Sequence, residues 1–384
     1  MKFFVMIILM VGALAPAVFS QSDYLMFASY FDENKSRAFD MDTSGNITLR
    51  NDYTVGKYSR YVTSSPNGRL VLVSTSHEPR LSCFFINRDR SIMSPIYNNE
   101  FFTDYYQIPV CFNAFRSYMY VGWYPKCQKF QINYSKHKIY ATEDSVSFDS
   151  ISSEETGYSI FLQTFIHGIS LNLNQKIVHG AGTVNINIDG SFTTKTNSLI
   201  LGDVGGNTNF TTSPNGRWAV LLGNDDPEMS IVGINKDGSL YLVEQWDFPG
   251  SEVTNPEMVR YTPDGKHLIL LHGGSYALFS FSVDQNTGKL TKIDQAAAGT
   301  GMCMAITPDS RFIVALDVYY YGSLQKTTLH VYELEENGKI NPINKNALLI
   351  DGYPSDMEFV PPWQETPFPQ NGFMLYGQQE VTPP

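Results

Sequence analysis

The chain has 384 residues, of which 42% are hydrophobic, 14% aromatic and only 17% charged. Its formal net charge is −11 and its pI is near 5.1. Nucleic acid and anionic membrane surfaces are therefore disfavoured partners, because both repel an acidic chain that carries no basic run.

Residues 1–20, MKFFVMIILMVGALAPAVFS, have the form of a secretory signal. Lys2 is the charged start, Phe3–Leu14 the apolar stretch, and Val18 and Ser20 the small residues before a cleavage site at Gln21. The apolar run is short for a membrane span and Pro16 breaks it, so the expectation is a secreted, extracellular protein without stable membrane insertion.

From Gln21 onward the chain reads as strands and tight turns. Tyr24–Tyr30 and Arg37–Arg50 are strand-like, with Asp42–Asn46 as a hairpin. A turn motif then marks a repeat: Ser65-Pro66-Asn67-Gly68-Arg69 precedes LVLVST, and Ser213-Pro214-Asn215-Gly216-Arg217 precedes WAVLLG. Thr262-Pro263-Asp264-Gly265-Lys266 precedes HLILLH, and Thr307-Pro308-Asp309-Ser310-Arg311 precedes FIVALD. Proline presets φ in such turns and glycine accepts positive φ. The prolines are spaced by 148, 49 and 45 residues, and the first gap is close to three repeats. Two degenerate copies are therefore expected near residues 115 and 165, where SYMYVGWY and SIFLQTFI stand.

The repeat predicts blades at about 55–99, 105–149, 157–203, 205–248, 259–294 and 299–350, with a longer insertion at Tyr319–Thr327 in the last. Ser355–Pro361 reads as an innermost strand that joins the N-terminal strands in a shared closing blade. The expected fold is all-β: a seven-bladed β-propeller of four-stranded antiparallel blades over residues 21–362, followed by a Pro/Gln-rich tail at 363–384. The expected oligomeric state is a monomer.

Cys83, Cys111, Cys127 and Cys303 suit an oxidising compartment. Cys111 and Cys127 flank one strand pair, where a bridge is geometrically allowed, while Cys83 and Cys303 fall in different blades and read as buried thiols. Sequons begin at Asn34, Asn46, Asn133 and Asn209; Asn46 at a hairpin tip is the best acceptor, and Asn209 on an inner strand is expected to be silent.

The SPNGR and TPDGK turns, the DGSL hairpin at 237–240 and the NTGKL hairpin at 286–290 resemble the lactonase branch of seven-bladed propellers, which includes bacterial 6-phosphogluconolactonase and fungal carboxymuconate cyclase. The resemblance is strongest over Gly205–Ile350. It implies a site at one mouth of the central channel, with a Pro-Arg-His-like triplet opening an inner strand and an Asn-Glu pair after the second strand. Here Pro256-Glu257-Met258, Gly301-Met302-Cys303, Pro354-Ser355-Asp356 and Asn207-Thr208-Asn209 stand at the triplet positions, and Asn224-Asp225 at one pair position. The scaffold pattern is kept, and the triplet His and Arg are not.

Turn topology assigns to one mouth His77, Glu78, Lys126, Asn224, Asp225, Asp226, Glu228, His272, Asp317, Asp356 and Glu257, with Arg260 on an inner strand. The mouth is thus expected to be electronegative and to favour a cationic or metal-bearing ligand. Asp225, Asp226, Asp317 and Asp356 are the candidate oxygen donors for calcium, against a solvated acidic rim. His272 and Asp225 are the candidate catalytic pair, because lactone opening needs a base acting on water. His77, Glu78, Asn224, Asp226, Glu257, Arg260, Asp317 and Asp356 are the candidate ligand contacts, although a residue such as Arg260 more often pairs with a carboxylate between blades, here Asp356 or Glu358. Tyr124, Tyr319, Tyr320 and Tyr321 are candidate rim anchors. Two functions follow: a binding module for a small molecule or an extracellular protein or glycan, or a lactone hydrolase or cycloisomerase with a rearranged site.

Overall fold

The first hydroxyl of each proline turn organises the strands that follow it. Ser65, Ser213, Thr262 and Thr307 accept the backbone N–H groups of Leu70, Trp218, His267 and Phe312 at 2.9, 3.0, 2.9 and 2.9 Å. The same hydroxyls donate to Oδ1 of Asn67, Asn215, Asp264 and Asp309 at 2.7, 2.7, 2.6 and 2.7 Å. One side chain therefore satisfies the first N–H of the second strand and holds the turn shut. The fourth residue is left-handed in every copy: Gly68, Gly216 and Gly265 have φ of 65°, 68° and 72°, and Ser310 has 64°.

The computed structural model describes residues 24–31, 33–75, 81–97, 110–112, 117–123, 126–147, 156–159, 164–173, 176–187, 190–202, 207–223, 228–248, 256–299, 301–321, 324–343 and 347–365. They form antiparallel sheets arranged as a β-propeller. The closing sheet runs Pro354–Val360, Tyr24–Tyr30, Lys35–Met41, Ile47–Thr54 from the inside outward, so the two ends of the chain share it. Sheets one to six follow in chain order, with inner strands Ser59–Ser64, Val110–Phe112, Thr156–Ser159, Asn207–Thr212, Pro256–Tyr261 and Met304–Ile306.

The expectation of seven four-stranded blades is corrected here. Among the described residues, six sheets are four-stranded, and sheet six has five strands. The cause lies in the hairpin Phe312–Tyr321 and Leu324–Leu334, whose strands of 10 and 11 residues outrun those of the other proline-turn sheets. The longer strand has room on its outer edge for two short partners. Ile340–Pro342 pairs with Tyr332–Leu334, and Leu348–Asp351 pairs with Lys326–Leu329.

Burial explains the strand sequences. Second strands such as Leu70–Thr75, Trp218–Gly223 and His267–His272 are buried at every position, because both faces meet neighbouring sheets, and they read as mainly apolar runs with polar residues only at their ends. Outer strands such as Leu290–Ala297 are largely exposed. The largest apolar cluster joins the closing sheet to sheets five and six through Met26, Phe39, Leu271, Ile313 and Met357. Between sheets, Tyr120, Thr183 and Ser280 donate to the carbonyls of Gly190, Gly238 and Gly338 in the next sheet's hairpin, at 3.0, 2.6 and 2.6 Å. Cys83 and Cys303 are buried free thiols. The side chain of Cys111 lies outside the described residues.

Beyond the closing sheet, the chain turns onto sheet one. Trp363 Nε1 donates to the Ile86 carbonyl at 3.0 Å, and the Gln364 N–H donates to the Asn67 carbonyl at 2.9 Å. The guanidinium of Arg69 lies 5.0 Å from the Trp363 ring and that of Arg88 6.0 Å. No helix among the described residues is long and apolar enough to cross a membrane.

Candidate functional site at the channel mouth

The inner strands are tied to one another at a shared register. Asn209, Met258 and Cys303 each stand four residues before the hydroxyl residue of their turn. Asn209 Oδ1 accepts the Val259 N–H at 3.0 Å, Met258 Sδ accepts the Met304 N–H at 3.2 Å, and Cys303 Sγ donates to the Pro354 carbonyl at 3.5 Å. In the closing sheet, Asp356 Oδ2 accepts the Val62 N–H at 2.9 Å. Each bond crosses to the next sheet, so the residues around the channel are fixed relative to one another. The buried, bonded Asn209 agrees with its reading as a silent sequon.

Two residues after Met258 on the same strand, Arg260 reaches across to the closing sheet. Its Nη2 lies 3.2 Å from Asp356 Oδ1, with 23% of the Arg260 side chain and 5% of the Asp356 side chain exposed. Of the two carboxylates named for it above, Asp356 is the one that pairs. Ala305 holds the matching register on the strand between them. Asp356 also accepts its own neighbour's N–H, from Met357 at 2.9 Å. Burial pushes the Asp356 carboxyl up, and Arg260 opposes that shift. Glu358, which accepts from Ser64 Oγ at 3.3 Å, is pushed up to about 7 by burial against the pull of Arg260. Glu257, half-buried where its strand leaves the mouth, is pushed up to about 7 by burial. Burial raises the Cys303 thiol well above its ordinary range, with Asp356 adding to the shift, so it is not a thiolate nucleophile.

His272 ends the second strand of sheet five, opposite Pro256 at the start of the inner strand. Its side chain is fully buried, and its Nε2 lies 3.1 Å from Glu228 Oε2 on sheet four. Its Nδ1 accepts the Ser275 backbone N–H at 3.0 Å and lies 3.0 Å from Ser275 Oγ. A backbone N–H only donates, so Nδ1 carries the lone pair and Nε2–H donates to Glu228. Phe248 and Phe279 hold the ring at centroid distances of 5.4 and 6.1 Å.

Asp317 occupies in sheet six the register that His272 occupies in sheet five. It is buried and stands 3.5 Å from His330 Nε2. Gly299 permits this position, since a Cβ there would meet Asp317 Oδ1 at 1.5 Å. Arg260 and Asp356 are therefore brought together, while His272 and Asp317 have separate partners. His77, Glu78, Asn224, Asp225, Asp226 and Tyr124 lie outside the described residues, as do the side chains of Tyr319, Tyr320 and Tyr321. Among the described residues no group of three or more His, Cys, Asp or Glu side chains is placed to hold a metal ion.

Sequence reasoning did not select Ser275, whose only signal was a hydroxyl three residues after a strand-end histidine, in HGGS. It also passed over Glu358 as a titrating group, because only its depth reveals it. Two exposed tyrosines were missed as well. Tyr58 and Tyr276 are 38% and 57% exposed, with left-handed φ of 56° and 51°. Tyr58 directly precedes an inner strand, and Tyr276 sits in the same loop as Ser275.

No family model matches the chain, and no curated protein matches it. Solved structures do. A candidate 6-phosphogluconolactonase from Bacteroides uniformis superposes with a TM-score of 0.63 at 16% identity, covering 88% of this chain and 99% of its own. The periplasmic gluconolactonase PpgL of Pseudomonas aeruginosa gives 0.62 at 14% identity, covering 88% and 99%. The β-propeller domain of Cps50 from Myceliophteria thermophila gives 0.52 at 10% identity, covering 78% and 89%. At these identities the likeness is one of fold alone: the chain is a β-propeller.

Proposed function

We propose that this protein is a secreted propeller that binds a small, hydroxyl-rich ligand at the channel mouth. The observation that carries the reading is the Arg260–Asp356 pair at 3.2 Å, with Glu358 coupled to both and Glu257 at the start of the Arg260 strand, both carboxyls near 7. A carboxyl half protonated at neutral pH both donates and accepts, which suits hydroxyl groups, and a partly exposed guanidinium adds fixed donors for ligand oxygens. Secretion is supported by the pattern of residues 1–20, and a mature N-terminus at Gln21 is the expected result of mass spectrometry on protein recovered from the medium.

Calorimetry against sugars, sugar acids and amines tests the binding reading. A hydroxyl-rich ligand is expected to bind, with affinity falling at least about tenfold in Arg260→Gln. Equal affinity in that variant would remove the reading.

Lactone opening at the same mouth is the second reading. It is favoured by the Glu257 carboxyl at about 7, the range a general base needs to activate water. Proton release from a lactone panel, absent in Glu257→Gln, is the expected result if it holds.

A further inference from the structure

Two hydrogen bonds link a hydroxyl, an imidazole and a carboxylate where sheets four and five meet. Ser275 Oγ lies 3.0 Å from His272 Nδ1, and His272 Nε2 lies 3.1 Å from Glu228 Oε2. We propose that Ser275, His272 and Glu228 form an acyl-transfer site that takes carboxylic esters through a covalent acyl-enzyme. The proposal rests on the reading that ligands enter at this mouth. It does not require Arg260 to bind them.

The three groups fit their roles. Ser275 is half-buried in the mouth loop, within reach of a ligand, whereas His272 and Glu228 are buried beneath it. Gly273 and Gly274 precede it, so no side chain of theirs narrows the approach to Oγ. The tautomer is already correct: Nδ1 is the acceptor and Nε2–H faces the carboxylate. Compared with the familiar serine hydrolase arrangement the two ring nitrogens exchange places, which leaves the proton chemistry unchanged. The rings of Phe248 and Phe279 keep the imidazole aligned.

In the first half-reaction Ser275 Oγ adds to the ester carbonyl carbon and its proton moves to His272 Nδ1. As the ring becomes cationic, Nδ1 gives up the Ser275 N–H and Glu228 stabilises the charge through Nε2–H. The tetrahedral adduct then collapses, the alkoxy C–O bond breaks, and the leaving alcohol takes the proton from Nδ1. In the second half-reaction water adds to the acyl carbon, its proton goes to Nδ1, and Oγ departs and recovers that proton. Ser275 and His272 are catalytic residues, and Glu228 is a positioning residue.

The test is covalent labelling of the full chain with a fluorophosphonate, read by intact mass and peptide mapping. One adduct on the peptide that carries Ser275 is expected, with labelling slowed at least about 100-fold in Ser275→Ala. Glu228→Gln is expected to slow the maximal labelling rate about tenfold while leaving the concentration for half-maximal rate unchanged, which a merely structural role would not do. No adduct on the folded wild-type protein, or an adduct that persists in Ser275→Ala, overturns the proposal. Calorimetry on the wild type and Arg260→Gln separates the two failures: ligand binding without labelling in the wild type sinks only the acyl-transfer site, whereas loss of binding in Arg260→Gln with labelling intact leaves it standing.

Discussion

Asp356, on the last strand of the chain, accepts the backbone N–H of Val62 at 2.9 Å. This bond joins the closing sheet to sheet one at the point where the ring meets itself. The same carboxylate pairs with Arg260 of sheet five at 3.2 Å, so one buried side chain ties three sheets. Asp356→Ala leaves the Val62 N–H and the Arg260 guanidinium without this acceptor, and a loss of about 3 kcal/mol is expected. Asp356→Asn keeps one acceptor oxygen and should cost roughly half as much. Denaturant unfolding of both variants checks the order.

The Glu358 carboxyl gives a pH dependence whose sign is opposite to that of an ordinary salt-bridged acid. Its folded pKa is about 7, and the unfolded reference is 4.5. Between those values the folded state holds a proton that the unfolded state has released, so stability falls as pH rises through that window and the loss is complete above it. The difference amounts to at most about 3 kcal/mol. Glu358→Gln cannot ionise, and it should flatten the fall between pH 4.5 and 7 and exceed the parent in stability at pH 8. Thermal melts across that range decide it, since the exposed Asp42, Asp89 and Asp284, whose carboxyls are held low by hydrogen bonds, are common to both proteins.

What the sequence revealed was what is encoded locally. The proline turns were readable because their hydroxyl, proline and Asn or Asp act within six residues of one another, and that spacing repeats. The partner of Arg260 could be narrowed to Asp356 or Glu358 because inner strands of a ring lie close together, but their depth and register were needed to choose. The fifth strand of sheet six left no local mark, since Leu348–Asp351 pairs only because Leu324–Leu334 is long enough to accept it. Ser275 meets His272 inside a loop that has no periodicity, and Glu228 meets it through the register of two separate sheets.

Gly68 and Gly265 occupy the same turn position with φ of 65° and 72°, yet they should respond differently to alanine. Ser310 stands at that position in sheet six with φ of 64°, so the conformation alone tolerates a side chain. Gly265→Ala is expected to cost about 1 kcal/mol. At Gly68 a Cβ would lie 2.1 Å from the Pro361 carbonyl oxygen and 2.8 Å from that of Pro362. The backbone of the C-terminal segment would have to lift, so Gly68→Ala should cost roughly 2 kcal/mol more than Gly265→Ala. Paired chemical denaturation of the two variants tests this.

Trp363 is the anchor of that C-terminal segment. Its Nε1–H bond to the Ile86 carbonyl and the flanking guanidinium groups of Arg69 and Arg88 hold it against sheet one. Arg69 also covers the Tyr134 ring of sheet two at 4.7 Å, so the segment is linked to two sheets through one arginine. Trp363→Ala removes the hydrogen bond and the ring contacts together and should destabilise the protein by about 2 kcal/mol. Trp363→Phe keeps a ring for Arg69 and should recover about half of that. If the segment acts by pinning the ring closed, Trp363→Ala should also speed backbone hydrogen exchange in Pro354–Val360 and Ser59–Ser64 while leaving Pro256–Tyr261 unchanged. Uniform protection in all three strands would show instead that the closing sheet holds without the tryptophan.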